Sequence, residues 1–150
     1  MRFSDPIASL LEIQGKRPVV SIRPDQKVYE ALEAMAQRDI GAILVLSHGR
    51  LVGILSERDY ARKGVLMGHL ARETRVDQIM TSPVSYVTPH NTVDECLSMM
   101  TAHRFRHLPV VLAEEVVGIV SIGDLVKWII AGQEKAIQEL EGYITGAYPG

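Results

Sequence analysis

The strongest constraint on this chain is that it contains one stretch twice. Gly118-Ile119-Val120-Ser121-Ile122-Gly123-Asp124 repeats Gly53-Ile54-Leu55-Ser56-Glu57-Arg58-Asp59, displaced by 65 positions. The match runs outward from there. Pro83-Val84 repeats Pro18-Val19, Val93, Glu95, Leu97 and Met100 repeat Val28, Glu30, Leu32 and Met35, and Val110 repeats Val45. Aligning 18–59 with 83–124 gives thirteen identical positions among 42, where chance gives roughly two to four at ordinary residue frequencies. A unit this small cannot bury both faces of its sheet alone. Two copies can cover each other, and the pairing predicts equivalent clefts related by a pseudo-two-fold axis.

Each copy reads strand–helix–strand–strand–helix. In the first, Val19–Ile22 is a short strand, and Asp25 is placed to cap a helix whose apolar face carries Val28, Ala31, Leu32, Met35 and Ala36. Ala42–Leu46 and Leu51–Leu55 are apolar strands around the turn Ser47-His48-Gly49-Arg50, and Ser56 opens a helix to about Lys63. Residues 64–75 read as a polar linker, and 76–80 as one helical turn. The pattern then restarts. Before the first copy, Ile7, Leu10, Leu11 and Ile13 suggest a short amphipathic arm ended by Gly15. After the second, helix continues through Ile130, with Gly132 marking a kink, and resumes from Gln133 to Tyr143. The tail Gly146–Gly150 reads as frayed. The expected division is an arm (1–15), two units (16–70 and 71–132) and a C-terminal helix with tail (133–150).

Composition narrows the class. Hydrophobic residues make up 47% of the chain and aromatics only 5%, so the core must be aliphatic. A net charge of −2 without a basic block argues against a nucleic-acid binder. No apolar stretch reaches the length of a membrane span. The N-terminus carries an acid and a proline where a signal peptide needs an apolar run. The single cysteine, Cys96, cannot form an internal disulfide and sits on an apolar helix face, which fits a core thiol in a reducing compartment. The expectation is a cytoplasmic protein. No Walker loop, Gly-x-Ser-x-Gly or Gly-x-Gly-x-x-Gly is present, and the five histidines form no metal constellation. Neither an enzyme nor a metal site is expected.

The ordered set of motifs carries a resemblance. A hydrophobic-x-Pro before the first helix, Arg106-His107-Leu108-Pro109-Val110 in the second unit, and Gly-Ile-x-Ser-x-x-Asp closing each unit resemble the cystathionine-β-synthase (CBS) domain pair, or Bateman module, over residues 16–130. The resemblance implies an α+β fold, with two pseudo-symmetric β-α-β-β-α units packed through their sheets and a C-terminal helical extension. It implies a stand-alone sensor that binds adenosine-containing ligands (AMP, ADP, ATP, NAD or S-adenosylmethionine) in clefts between the units. It also implies a homodimer and an unknown regulated protein, without nucleic acid, membrane or catalysis. The alternative is a structural interaction module whose nucleotide sites are vestigial.

Candidate roles follow. A carboxylate can accept both hydroxyls of a ribose diol, and the family places that role on Asp59 and Asp124, with Ser56, Ser121 and Thr88 assisting. The same Ser-x-x-Asp spacing also suits a capping box, and the two roles are compatible. Ile40-Gly41-Ala42 and His107-Leu108-Pro109, following Phe105 and Arg106, occupy the family's base slot; Gly41 also suits a helix C-cap. Phosphate candidates are Arg58, Arg106, Lys16 and Arg23, with Arg17, His103, Arg104 and His107 nearby; for each the alternative is a solvated surface charge. Arg23 stands where the second copy has Thr88, and Gly123 where the first has Arg58, so the two clefts are expected to differ. Along 126–144, Val126, Ile130, Ile137, Leu140 and Ile144 form a stripe that either meets a second copy or folds back on its own unit.

Overall fold

Residues 42–46 are apolar without a break, and they form the central strand of the first repeat. The computed structural model describes residues 2–15 and 18–145, with side chains through 142. Strand β1 (Ser21–Ile22) pairs in parallel with β2 (Ala42–Ser47), and β2 pairs antiparallel with β3 (Arg50–Ser56), giving the order β1-β2-β3. Helix α2 (Val28–Arg38) joins β1 to β2, buries Val28, Ala31 and Met35, and packs with Ile22, Ile43, Val45, Leu55, Val76 and Ile79 in one aliphatic core. After β3 come one turn of α3 (Glu57–Asp59), a π-helical stretch (Tyr60–Val65) and the short α4 (Val76–Ile79). The expected single helix from Ser56 to Lys63 is therefore a composite, with Gly64 held close against the Tyr60 ring. A Cβ at Gly53 would lie 2.3 Å from Met80 Sδ, so any larger residue there must displace that side chain.

In the second repeat, α5 (Val93–His103) buries Val93, Cys96 and Met100. β4 (His107–Leu112) and β5 (Glu115–Ser121) form a two-stranded sheet. The expected first strand of this repeat is reduced to a single bridge residue, Val87, the counterpart of Ile22; 82–86, which contains a cis Ser82–Pro83 bond, forms no ladder. The duplication is legible in the backbone itself. Asp39 and Arg104 end α2 and α5 in the left-handed region (φ 53° and 58°), and His48-Gly49 and Ala113-Glu114 turn both hairpins with positive φ, as two-residue type I′ turns require. Each pair lies 65 positions apart. Gly41 is therefore not the helix C-cap; Asp39 is.

Two expectations at helix starts change. Asp25 does not cap α2; its carboxylate faces Arg23. The free N–H groups of Val28 and Tyr29 donate instead to the carbonyls of Thr74 and Ala71, and Glu30 reaches back to the Lys27 N–H. Main-chain acceptors from the presumed linker take the place of a side-chain cap. That segment is a structural part: Val76 and Asp77 N–H return bonds to Gln26 and Pro24, and Thr74 is buried. The N-terminal arm does the same for α5. Val93 and Asp94 N–H donate to Asp5 and Phe3, while Ile7 and Ala8 N–H donate to Asn91 and Pro89. Helix α1 (Ile7–Gln14) buries Ile7 and Leu10, ends at Gly15 (φ 74°) and leaves Ile13 exposed.

Helix α6 (Ile122–Thr145) runs unbroken through Gly132, so the expected kink is absent. Leu125 and Trp128 are buried, and the indole N–H donates to Asp5 (3.1 Å). Val126, Ile130, Ile137 and Leu140 are exposed; the Ile144 side chain and residues 146–150 lie outside the described residues.

By internal packing the chain forms two compact units. One comprises the arm, 87–108 and the chain from 119 onward; the other comprises the stretch after the arm through Tyr86, with 109–118.

Candidate functional site

Both Ser-x-x-Asp stretches stand where an apolar strand hands over to a helix. At the first, Ser56 keeps an extended backbone and its Oγ accepts the Asp59 N–H (3.0 Å). Asp59 Oδ2 accepts the Ser56 N–H and hydroxyl, each at 3.0 Å. Asp59 Oδ1 accepts the Thr81 hydroxyl (3.2 Å) and faces Lys63 Nζ (3.4 Å). Lys63 also donates to Thr81 Oγ1 (3.2 Å). Thr81 is fixed by two backbone bonds to Ile54. The Glu57 N–H donates to the Gly41 carbonyl and Ala42 pairs with Ser56, so Gly41 and the start of β2 at Ala42 lie against the junction.

At the second, the Ser121 N–H donates to Asp124 Oδ2 (2.9 Å) and the Asp124 N–H to Ser121 Oγ (3.1 Å). Among the described residues no hydrogen bond or ion pair reaches Asp124 Oδ1. The Ile122 N–H donates to the Arg106 carbonyl, the counterpart of Glu57 to Gly41, and this sets Arg106-His107 beside Ser121. His107 is partly buried, and that burial lowers its pKa; Asp124 acts against the shift and Arg106 with it. The imidazole is therefore neutral through the neutral range and can both donate and accept. Both junctions are thus capping boxes, and at the second the cap engages only Oδ2 among the described residues.

The other named residues divide. Thr88 heads a turn in which its N–H and hydroxyl meet Asn91 Oδ1 (2.8 and 3.2 Å). No hydrogen bond joins it to Ser121 or Asp124 among the described residues. Arg23 pairs with Asp25 at 3.2 Å, its side chain 68% exposed, which is the solvated alternative. Arg58 and Arg106 are exposed beside their junctions. Leu108 and Pro109 are buried within β4. His103 stacks on Phe105. Lys16 and Arg17 lie outside the described residues. Among those described, no group of three His, Cys, Asp or Glu is placed to hold a metal ion, and no helix is long and apolar enough to cross a membrane.

The reading of the motifs missed Thr81 and Lys63. Lys63 had a signal, since it stands four residues after Asp59, the spacing at which helical side chains meet. Thr81 had none, because it reaches Asp59 across 22 residues of chain through the pairing of 81 with Ile54.

Comparison with known proteins agrees with this architecture. The family model for the CBS domain matches twice, at residues 12–65 and 76–131. The chain is 38% identical to the CBS domain-containing protein CBSX3, mitochondrial, of Arabidopsis thaliana, over 97% of this chain and 74% of that protein. A solved protein with CBS domains from Burkholderia ambifaria is 44% identical and superimposes with a TM-score of 0.82, covering 85% of this chain and 96% of the other. A CBS domain pair solved in complex with 5′-methylthioadenosine and S-adenosylmethionine shares the fold at 23% identity and a TM-score of 0.72, covering 87% and 98%. With the doubled junction, the two hairpins and both family matches in register, this chain belongs to the CBS-domain family and carries a tandem pair.

Proposed function

We propose that this protein is a stand-alone regulatory module that binds an adenosine-containing ligand, with Asp124 and Asp59 as acceptors for the ribose hydroxyls. The observation that carries this reading is Asp124, beside a neutral His107, with Oδ2 fixed by the Ser121 N–H and with Oδ1 met by no hydrogen bond or ion pair among the described residues. A carboxylate pinned on one oxygen and open on the other is pre-organised to accept hydroxyl donors. Arg106 and Arg58 then supply charge for a ligand's anionic portion, and Gly41 and His107 flank the base. The sequence carries no Walker loop, Gly-x-Ser-x-Gly or Gly-x-Gly-x-x-Gly, so the role is binding and signalling, not turnover. Its single buried thiol suits a reducing compartment such as the cytoplasm.

Along the chain the two CBS units run 16–70 and 71–132, between the arm and the C-terminal helix; in space the 71–79 segment finishes the first unit and the arm finishes the second. The signal passes through association. The stripe Val126, Ile130, Ile137 and Leu140 is 43–60% exposed, and a homodimer through α6 covers it. The same stripe favours a second reading, an interaction module whose nucleotide sites are vestigial.

A thermal-shift panel separates the two. AMP, ADP, ATP, NAD and S-adenosylmethionine are tested on wild type, Asp124→Ala and Asp59→Ala. At least one ligand is expected to raise the melting temperature, and Asp124→Ala to weaken it by roughly 10- to 100-fold, the worth of a charge-assisted bond. If no ligand shifts wild type, the interaction module stands. Ile137→Asp with Leu140→Asp is expected to lower the mass in solution; unchanged mass removes α6 from the interface.

A further inference from the structure

Asp59 and Asp124 cap their helices alike, but their carboxylates are not equally available. Asp59 spends Oδ2 on Ser56 and Oδ1 on Thr81 and Lys63. Among the described residues Asp124 spends only Oδ2, on Ser121. The difference comes from outside the motif. The repeat position of Lys63 is Trp128, which turns away to Asp5, and Thr81 arrives on the segment that closes the first repeat.

We propose that Thr81 and Lys63 latch the first junction. A ribose diol then enters at Asp124 directly, and at Asp59 only when the same ligand brings an anionic group to take over Lys63. The proposal rests on the nucleotide-binding reading and divides it into two classes of site. A diol seated on Asp59 must displace the Thr81 hydroxyl and draw the carboxylate from the ammonium. Losing a hydrogen bond of ordinary strength and a half-exposed ion pair makes a neutral nucleoside about tenfold weaker, or more, at this junction. A phosphate removes much of that penalty, because Lys63 exchanges one anion for another. Arg58 and Arg62 stand on the same turns and add to the attraction. At the second junction Gly123 and Trp128 replace Arg58 and Lys63, while Lys127 replaces Arg62, so the helix start brings fewer cations and, among the described residues, nothing latches Asp124 Oδ1.

The test is calorimetric titration of the full chain with adenosine and with AMP, which share the diol and differ in the anion. Adenosine is expected to fill one site per chain, removed by Asp124→Asn. AMP is expected to fill two, the weaker removed by Asp59→Asn. In Thr81→Val with Lys63→Met, adenosine is expected to gain the second site with an affinity at least tenfold above that in wild type. The latch is overturned if adenosine fills two equal sites in wild type, if its tight site survives Asp124→Asn, or if the double variant leaves the second site unchanged. Should Asp124→Asn fail to fold, the double variant alone decides. Absence of binding by both compounds overturns the nucleotide reading, and the latch with it.

Discussion

Ser56-Glu57-Arg58-Asp59 and Ser121-Ile122-Gly123-Asp124 build the same corner of backbone in different surroundings. In each, the serine hydroxyl accepts the N–H of the aspartate three residues on, and the serine N–H returns to the carboxylate. In each, the next N–H reaches the neighbouring strand, Glu57 to Gly41 and Ile122 to Arg106. Beyond that the copies part. Lys63 turns back onto the first acid, whereas Trp128 sinks into the core and holds the arm. A repeated motif fixes local geometry; the residues one helical turn later decide what else its carboxylate meets.

The comparison can be broken at several points. The largest effect is expected at the Lys63/Trp128 pair. Trp128→Ala empties a buried site and frees the arm, and should cost about 3–5 kcal/mol in denaturant unfolding. Lys63→Ala removes a pair with a 47% exposed lysine and should cost less than about 1 kcal/mol. Equal losses would mean the two positions do the same job. Next is Gly53→Ala, whose Cβ would press on Met80 Sδ at 2.3 Å. A loss of about 1–3 kcal/mol is expected, largely restored by adding Met80→Ala; an additive double variant would disprove the contact. The hairpin turns give a smaller, signed test. Glu114 sits at φ 67° where the first repeat has Gly49 at φ 78°. Glu114→Gly should stabilise and Gly49→Ala destabilise, each by about 1 kcal/mol. The smallest effect is the pH dependence of His107, whose surroundings include Asp124 and Arg106. Its pKa is lowered on folding, so below the ordinary value of 6.5 the unfolded chain binds the extra proton more readily. Its contribution is therefore present above that pH and fades as pH falls below it. His107→Gln should flatten the stability profile there and leave it unchanged above pH 7.

Much of this was written in the residues. The unbroken apolar run Ala42–Leu46, the helical spacing of Val28, Ala31 and Met35, and the Gly49 turn each encode an element locally, and all three appear where expected. So does the duplicated junction, because Ser-x-x-Asp specifies its own cap. What could not be read depends on main-chain groups from distant segments. Asp25 loses the cap of α2 to the carbonyls of Ala71 and Thr74, which carry no side-chain signature. Thr81 reaches Asp59 only because 81 pairs with Ile54. The first strand of the second repeat is shorter than its sequence match suggests. Val84 and Val19 match in type, yet neither lies in a strand; β1 is Ser21–Ile22, and of its counterparts only Val87 makes a bridge.

The exchange of finishing pieces has a consequence for how the chain emerges during synthesis. The first repeat is closed by 71–79, made just after it, so it can complete itself as soon as that segment leaves the ribosome. The second is closed by Phe3, Asp5, Ile7 and Ala8, which are made before either repeat and have no destination until Asn91, Val93 and Asp94 appear. The arm thus waits through synthesis of the whole first repeat, with Ile7 and Leu10 uncovered. A change in the arm would burden the half of the molecule most distant from it in sequence.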